Sequence, residues 1–208
     1  MKTLLAALLF AAPAALAVDL QVDPAHSTAT FAIKHMMVST VRGNFGKVSG
    51  TVSYDPKEPT RSSANIQIDP ASLDTRNEKR DTHLKSADFF DVQKCPEMNF
   101  KSNKVEKAGD KHYKVIGDLT MHCTTKPVTL DVEGLNGPVK GPMGGNLYAA
   151  TASGKISRKD FGLTWNKALE AGGVAVGDDV LLTVELELND SPPAAKREAK
   201  AETQPANK

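Results

Sequence analysis

Val180-Leu181-Leu182-Thr183-Val184-Glu185-Leu186-Glu187-Leu188 is the clearest strand signal in the chain. Val180, Leu182, Val184, Leu186 and Leu188 form one apolar face, while Thr183, Glu185 and Glu187 face water. An alternation of this kind puts one side of a β-strand on a core and the other in solvent. Working back from it, Leu147 to Ser157 alternates small residues (Ala150, Ala152, Gly154) with polar ones. Val128, Leu130 and Val132 make another strand after Lys126-Pro127, and Tyr113, Val115, Gly117, Leu119 and Met121 a long one before it. Gly137-Pro138 and Gly141-Pro142 mark a loop.

The N-terminal half repeats the pattern. Ala29, Phe31, Ile33 and His35 share a face opposite Thr28, Thr30 and Lys34. A bend over Val41-Arg42-Gly43-Asn44-Phe45-Gly46 leads into Val48, Gly50, Val52 and Tyr54, which Asp55-Pro56 ends. Ala64, Ile66 and Ile68 follow, stopped by Asp69-Pro70, and Met98 with Phe100 resumes the alternation. About eight strands, mostly joined by short turns and each with one apolar face, suit an antiparallel barrel or a sandwich. A barrel of this size is either filled by its own side chains or holds one small ligand. Aromatic residues make up only 5% of the chain, and several inward positions are Gly, Ala, Ser or Thr, which favours a hollow interior.

One segment breaks the strand pattern. Arg80-Asp81-Thr82-His83-Leu84 reads as helix, with Arg80, His83 and Leu84 on one face by three- and four-residue spacing. Thr75 and Glu78 form a capping box at its start, and Phe89 and Phe90 follow its end. The helix is expected to act as a lid against one barrel end, although a plain crossover helix with Leu and Phe in the core fits the spacing equally well. The longest irregular stretch runs from Arg158 to Gly177 and carries the chain's one Trp, Trp165, near Phe161. Loops of that length in compact domains are usually functional or mobile. It suits either a ligand-binding rim or a patch that closes the barrel end.

Composition bounds the setting. Lys2, the apolar run Leu4 to Leu16 and the small-x-small site Ala15-Leu16-Ala17 are a secretory signal, so export and cleavage before Val18 are expected. Residues 1–17 are thus read as a signal peptide, 18–190 as the barrel domain and 191–208 as a disordered tail without core-forming residues. The run is too short and poorly flanked to span a membrane. The net charge of +1 becomes zero without Lys2, and the tail carries +2, leaving about −2 on the folded part. That is a poor footprint for nucleic acid.

Cys95 and Cys123 fall near the open end of the hairpin that turns at Ala108-Gly109, which makes a cross-strand disulfide possible in an oxidising compartment. Two free thiols are the alternative. No Gly-x-Ser-x-Gly elbow, phosphate loop or kinase set is present, and Asp160-Phe161-Gly162 stands alone. His26, His35, His83, His112 and His122 fall in no metal-ligand spacing. Neither a metal site nor a catalytic set is legible.

In order along the chain, Asp23-Pro24-Ala25-His26-Ser27 with Phe31 and His35, Val41 to Phe45, Lys79 to Leu84 with Asp88-Phe89-Phe90-Asp91, Gly117 to His122, Thr125 to Val128, Arg158 to Gly162 with Trp165, and Val176-Gly177-Asp178 resemble the YceI-like proteins. The match runs from about Val22 to Asn189, and its strength lies in the ordered set. The resemblance implies an all-β fold: an eight-stranded antiparallel lipocalin-like barrel with a short helix near one end, around an elongated apolar tunnel. It implies a periplasmic binding or carrier protein for a long-chain isoprenoid or related lipid (quinone, prenyl phosphate or fatty amide), with no cofactor and no catalytic activity.

Head-group contacts are then expected from His26, His35, Arg80 and His83, and apolar lining from Phe31, Phe45, Phe89, Phe90, Phe161 and Trp165. Arg80 paired internally with Asp81 or Asp160 is the other reading. A homodimer is compatible with the resemblance. Cys95 stands where Tyr or Phe is more usual and Cys123 where Gly or another small residue is; both changing together favours the bond. The competing function is a stress-response scaffold or an enzyme acting on a small polar substrate.

Overall fold

The computed structural model describes residues 17–142, 144–170 and 172–190. The signal and tail expected at 1–17 and 191–208 lie outside them, apart from Ala17. Eleven strand segments and one helix make up the described fold: β1 (Val18–Val22), β2 (Thr28–His35), β3 (Ser39–Phe45), β4 (Val48–Tyr54), β5 (Ser63–Ile68), β6 (Leu73–Asp74), α1 (Glu78–Lys85), β7 (Met98–Lys107), β8 (His112–Met121), β9 (Thr124–Lys140), β10 (Asn146–Ser157) and β11 (Val176–Asn189).

These segments form eight staves. β1 and β2 run one after the other along β11, β3 and β4 pair with them in the same way, and β5 and β6 pair with β4 and β3. From β7 to β11 every strand is unbroken and antiparallel to the next, and β1 against β11 closes the cylinder. The expected eight-stranded antiparallel barrel is therefore present, and closure gives every stave a neighbour on both sides except at β6, which pairs with β3 alone.

The three broken staves share a device. Inward positions are even in β1 (Leu20, Val22) and odd in β2 (Ala29, Phe31, Ile33), odd in β3 and even in β4, even in β5 and odd in β6. Each interruption thus contains an odd-residue slip, which restores the apolar face to the interior after a bend. Two of the bends are tied together, with Asp69 N–H donating to the Lys47 carbonyl at 3.1 Å. Beyond them β6 pairs with β3 alone, while β7 starts at Met98 opposite Ile68. The wall is open there, and α1 with the turns after it occupies the opening.

Several local expectations are corrected. β1 is a strand beyond those expected from the alternation. Gly137-Pro138 lies within β9 at a shift of register against β10, not in a loop, because β9 continues to Lys140. The cap of α1 is Asn77, whose side chain accepts from the Arg80 N–H at 3.0 Å; Thr75 is buried and donates to Asp81 instead. Asn does this job as well as Thr, and Thr75 sits too far back to cap the helix while its hydroxyl is held by Asp81.

The disulfide expected between Cys95 and Cys123 is present, with Cα atoms 5.4 Å apart. It is not a strand-to-strand bridge. Cys95 lies in the turn after α1 and Cys123 in the tight turn from β8 to β9, so the bond staples the helical insert to a hairpin tip. Phe89, Met98, Met121, Phe161 and Leu163 are all buried in the core. Phe161, at 1% exposure, contributes about 2–3 kcal/mol by burial. Among the described residues no helix is long and apolar enough to cross a membrane.

Candidate functional site

The barrel interior is hollow in two adjoining chambers. The lower one, about 200 Å³, runs between the walls of β4, β5, β7 to β11 and is lined by apolar residues such as Val52, Ile66, Val115, Leu130 and Val184. Its few polar groups are Thr30, three serines and the hydroxyls of Tyr54 and Tyr113, and no charged residue lines it. Small inward residues create the space: Ala64, Ser102, Gly134, Ala150 and Ala152 all face it. The upper chamber, about 360 Å³, lies under α1 and the loop from β10 to β11. Pockets that hold small molecules commonly span 300–1,000 Å³.

Phe45, Met121, Ile156 and Leu182 line both chambers and form a waist between them. β11 runs past the whole length, with Val176 and Val180 above, Leu182 at the waist, and Val184, Leu186 and Leu188 below. From Val176 to Leu188 a strand rises roughly 40 Å, or about 30 Å along the axis at the usual barrel tilt. The hollow is long and narrow.

Aromatic side chains shape the upper chamber in two groups. Phe45 meets Phe31 at 5.8 Å between ring centroids and Phe90, edge-on, at 5.6 Å. His83 stands edge-on to Phe89 at 5.1 Å and to Trp165 at 4.9 Å. Gly43 permits the first group, since a Cβ there would fall 2.6 Å from the Phe31 ring. His83 Nε2 is fixed by Asp88 Oδ2 at 2.8 Å. Arg80 is held by Thr75, with Nε donating to the hydroxyl at 2.7 Å and Nη2 to the carbonyl at 2.8 Å. Pairing of Arg80 with Asp81 is thus indirect, through Thr75, and Asp160 is not involved.

Eight of the sequence-derived site residues line the upper chamber: Phe31, His35, Phe45, Arg80, His83, Phe89, Phe90 and Trp165. Two line neither chamber. His26 lies in the break between β1 and β2, on the outer surface, with Nδ1 3.2 Å from Asp23 Oδ2 and 3.5 Å from Glu187 Oε1. Its hydrogen bond to Asp23, aided by the Glu187 charge, raises its pKa above 6.5. Burial alone would raise the Asp23 carboxyl, but bonds from the Ala25 N–H and His26 outweigh that and hold it below 3.8. Asp23, His26 and Glu187 are also the one group of potential metal ligands among the described residues, their ligand atoms all within 4.8 Å of one another. Phe161 is a plug: it is packed in the core and its carbonyl meets His122 Nδ1 at 2.9 Å.

Three charged lining residues were missed. Lys34 and Lys79 line the upper chamber, and so does Arg158, which is only 3% exposed. Arg158 donates to the carbonyls of Leu163, Trp165 and Gly177 and faces Asp178 Oδ1 at 3.3 Å. It therefore shapes the loop that presents Trp165. Burial pushes its pKa down, partly offset by Asp178. The sequence signal was available, since Arg158 continues the inward parity of Ala150, Ala152, Gly154 and Ile156.

A family model, the YceI-like domain, matches residues 20–188. The chain belongs to the YceI-like family. A Staphylococcus aureus (strain MSSA476) relative, "UPF0312 protein SAS2572", is 39% identical over 170 residues, covering 81% of this chain and 96% of its own. Among solved structures, Burkholderia cenocepacia BcnA superposes with a TM-score of 0.69 at 27% identity, covering 80% of this chain and 98% of its own. A domain from Saccharophagus degradans, described as polyisoprenoid binding and implicated in plant cell wall breakdown, shares the fold at a TM-score of 0.60 and 13% identity, over 84% of this chain and 99% of its own. The YceI-like barrel is thus the frame on which this chain's hollow and its cationic end are built.

Proposed function

We propose that this protein is an exported binding protein that carries one long isoprenoid or related lipid with its chain in the barrel. The observation that carries this is the pair of adjoining chambers, the lower one apolar apart from a few hydroxyls and the upper one alone lined by charged residues. An apolar chain entering such a hollow gains roughly 25 cal/mol per Å² removed from water. Selectivity by chain length is weak, because one methylene changes binding only modestly. Orientation comes from the few polar groups at one end. The description of the Saccharophagus degradans domain as polyisoprenoid binding agrees with this reading.

The apolar leader with its small-x-small site, together with the disulfide, supports an oxidising compartment outside the cytoplasm. Organic extraction of purified protein, followed by mass spectrometry and titration with geranylgeraniol, tests the lipid reading. Co-purification or saturable binding is expected. Recovery of no lipid together with no binding of the added chain rejects it. N-terminal sequencing of protein recovered from the cell envelope should begin at Val18.

A further inference from the structure

Six large apolar side chains are exposed among the described residues, and four of them meet at one end of the barrel. Met36, Met37 and Val38 form the turn from β2 to β3. Val174 belongs to the neighbouring hairpin, which Ala168 and Val174 close within the loop from β10 to β11. The two tips are joined. Met36 N–H donates to the Ala175 carbonyl at 2.8 Å, and a Cβ on Gly173 would fall 3.1 Å from Met37 Cγ. The other two, Val139 and Leu181, lie in β9 and β11.

Folding does not explain the first tip. Val38 N–H donates to the His35 carbonyl at 3.2 Å, closing a turn whose central residues, Met36 and Met37, have φ of 52° and 61°. Turns with two left-handed residues favour Asn and Gly, and a long side chain there is strained. A polar pair would fold more readily and meet water better. Backbone strain and contiguous apolar exposure at one spot point to a surface that is covered in use.

Three observations identify what covers it. The tips flank the mouth of the upper chamber, since Lys34 and His35 before the first and Val176 after the second all line it. The apolar groups project from hairpin ends, with Val38 84% exposed, and the methionines are unbranched and flexible; this suits a fluid phase better than a fixed protein groove. Exposed lysines stand around them: Lys34, Lys79 and Lys167 against Glu78 and Glu170 on the same segments, while no Asp or Glu lines either chamber. That excess of positive charge matches an anionic membrane surface.

We propose that the paired tips dock the protein on an anionic phospholipid bilayer, setting the mouth of the hollow against the phase in which its lipid dissolves. This rests on the apolar-chain reading above and adds to it the partner from which the chain is taken up.

Vesicle flotation tests it. Purified protein is expected to float with vesicles of phosphatidylethanolamine and phosphatidylglycerol, and to float less with phosphatidylcholine alone. In Met36→Asn/Met37→Gly the affinity for the anionic vesicles should fall about tenfold or more. Its melting temperature should equal or exceed the parent's, because the turn is relieved. Leu181→Ser removes a group about as exposed as Met37 from β11 and should float like the parent. Both variants should keep the parent's affinity for geranylgeraniol presented in detergent, since none of the three residues lines a chamber. Uptake of geranylgeraniol from vesicles should slow in the double variant alone. No flotation of the parent, flotation as strong on phosphatidylcholine, or an undiminished double variant overturns the docking proposal and, where geranylgeraniol still binds, leaves the apolar-chain reading standing. Parent dimers that the double variant dissolves, with no flotation of either, make the tips a contact between copies and also overturn it. Flotation without any binding of geranylgeraniol overturns the apolar-chain reading and upholds the docking surface.

Discussion

Replacing Arg158 by Leu removes the group that organises the loop over the upper chamber. The change leaves the carbonyls of Leu163, Trp165 and Gly177 without their donor. Leu163 is buried and the other two are half-buried, so water reaches only part of the loss. At roughly 1–3 kcal/mol for each orphaned group, and toward the low end for the two that water approaches, the cost is about 3–6 kcal/mol. Relief from burying a guanidinium, whose pKa is already pushed down by that burial, offsets some of it. With about 2–4 °C lost per kcal/mol in a domain of this size, the melting temperature should fall by roughly 10–15 °C. Calorimetry and the Trp165 emission maximum report the two halves of the argument, stability and loop position. Arg158→Lys should fall between, since one ammonium cannot span three carbonyls. A melting temperature within about 3 °C of the parent protein, with unshifted emission, would refute the reasoning.

Three further outcomes follow from other parts of the molecule. Cys95→Ser/Cys123→Ser opens a link between residues 28 apart and should cost about 3–4 kcal/mol in denaturant unfolding; unchanged stability would mean the staple constrains nothing in the unfolded chain. Ala152→Phe fills the lower chamber, so geranylgeraniol should bind at least tenfold more weakly while geraniol, short enough for the upper chamber, is little affected; equal losses would argue against a continuous hollow. His26→Asn tests the ion cluster between β1 and β2. A pKa raised above 6.5 means that stabilisation by His26 is full below 6.5 and is lost as pH rises through the folded value. The Asp23 contribution, from a pKa held below 3.8, is present above 3.8 and fades as pH falls through the folded value. The gap in melting temperature between parent and variant should therefore be widest between those two values and vanish by about pH 9; a gap as large at pH 9 would point to lost packing instead.

Much of this molecule was readable before folding was considered. Strand alternation, turn chemistry and small inward residues such as Ala150, Ala152 and Gly154 are set by neighbours a few positions apart, so they announced a hollow barrel and most of its lining. The same local rules misplaced the cap of α1, because Thr75 and Asn77 both offer a capping oxygen and only the contact with Asp81 decides between them. His26 and His35 look alike in the chain, yet a slip in the break before β2 sends one to the outer surface and the other to the chamber. The all-cationic lining and the three carbonyls on Arg158 also lay beyond local reading, since they depend on which segments closure brings together. Alternation specifies which face of each strand is apolar; barrel closure decides which side chains then share one space, because that is where distant parts of the chain first become neighbours.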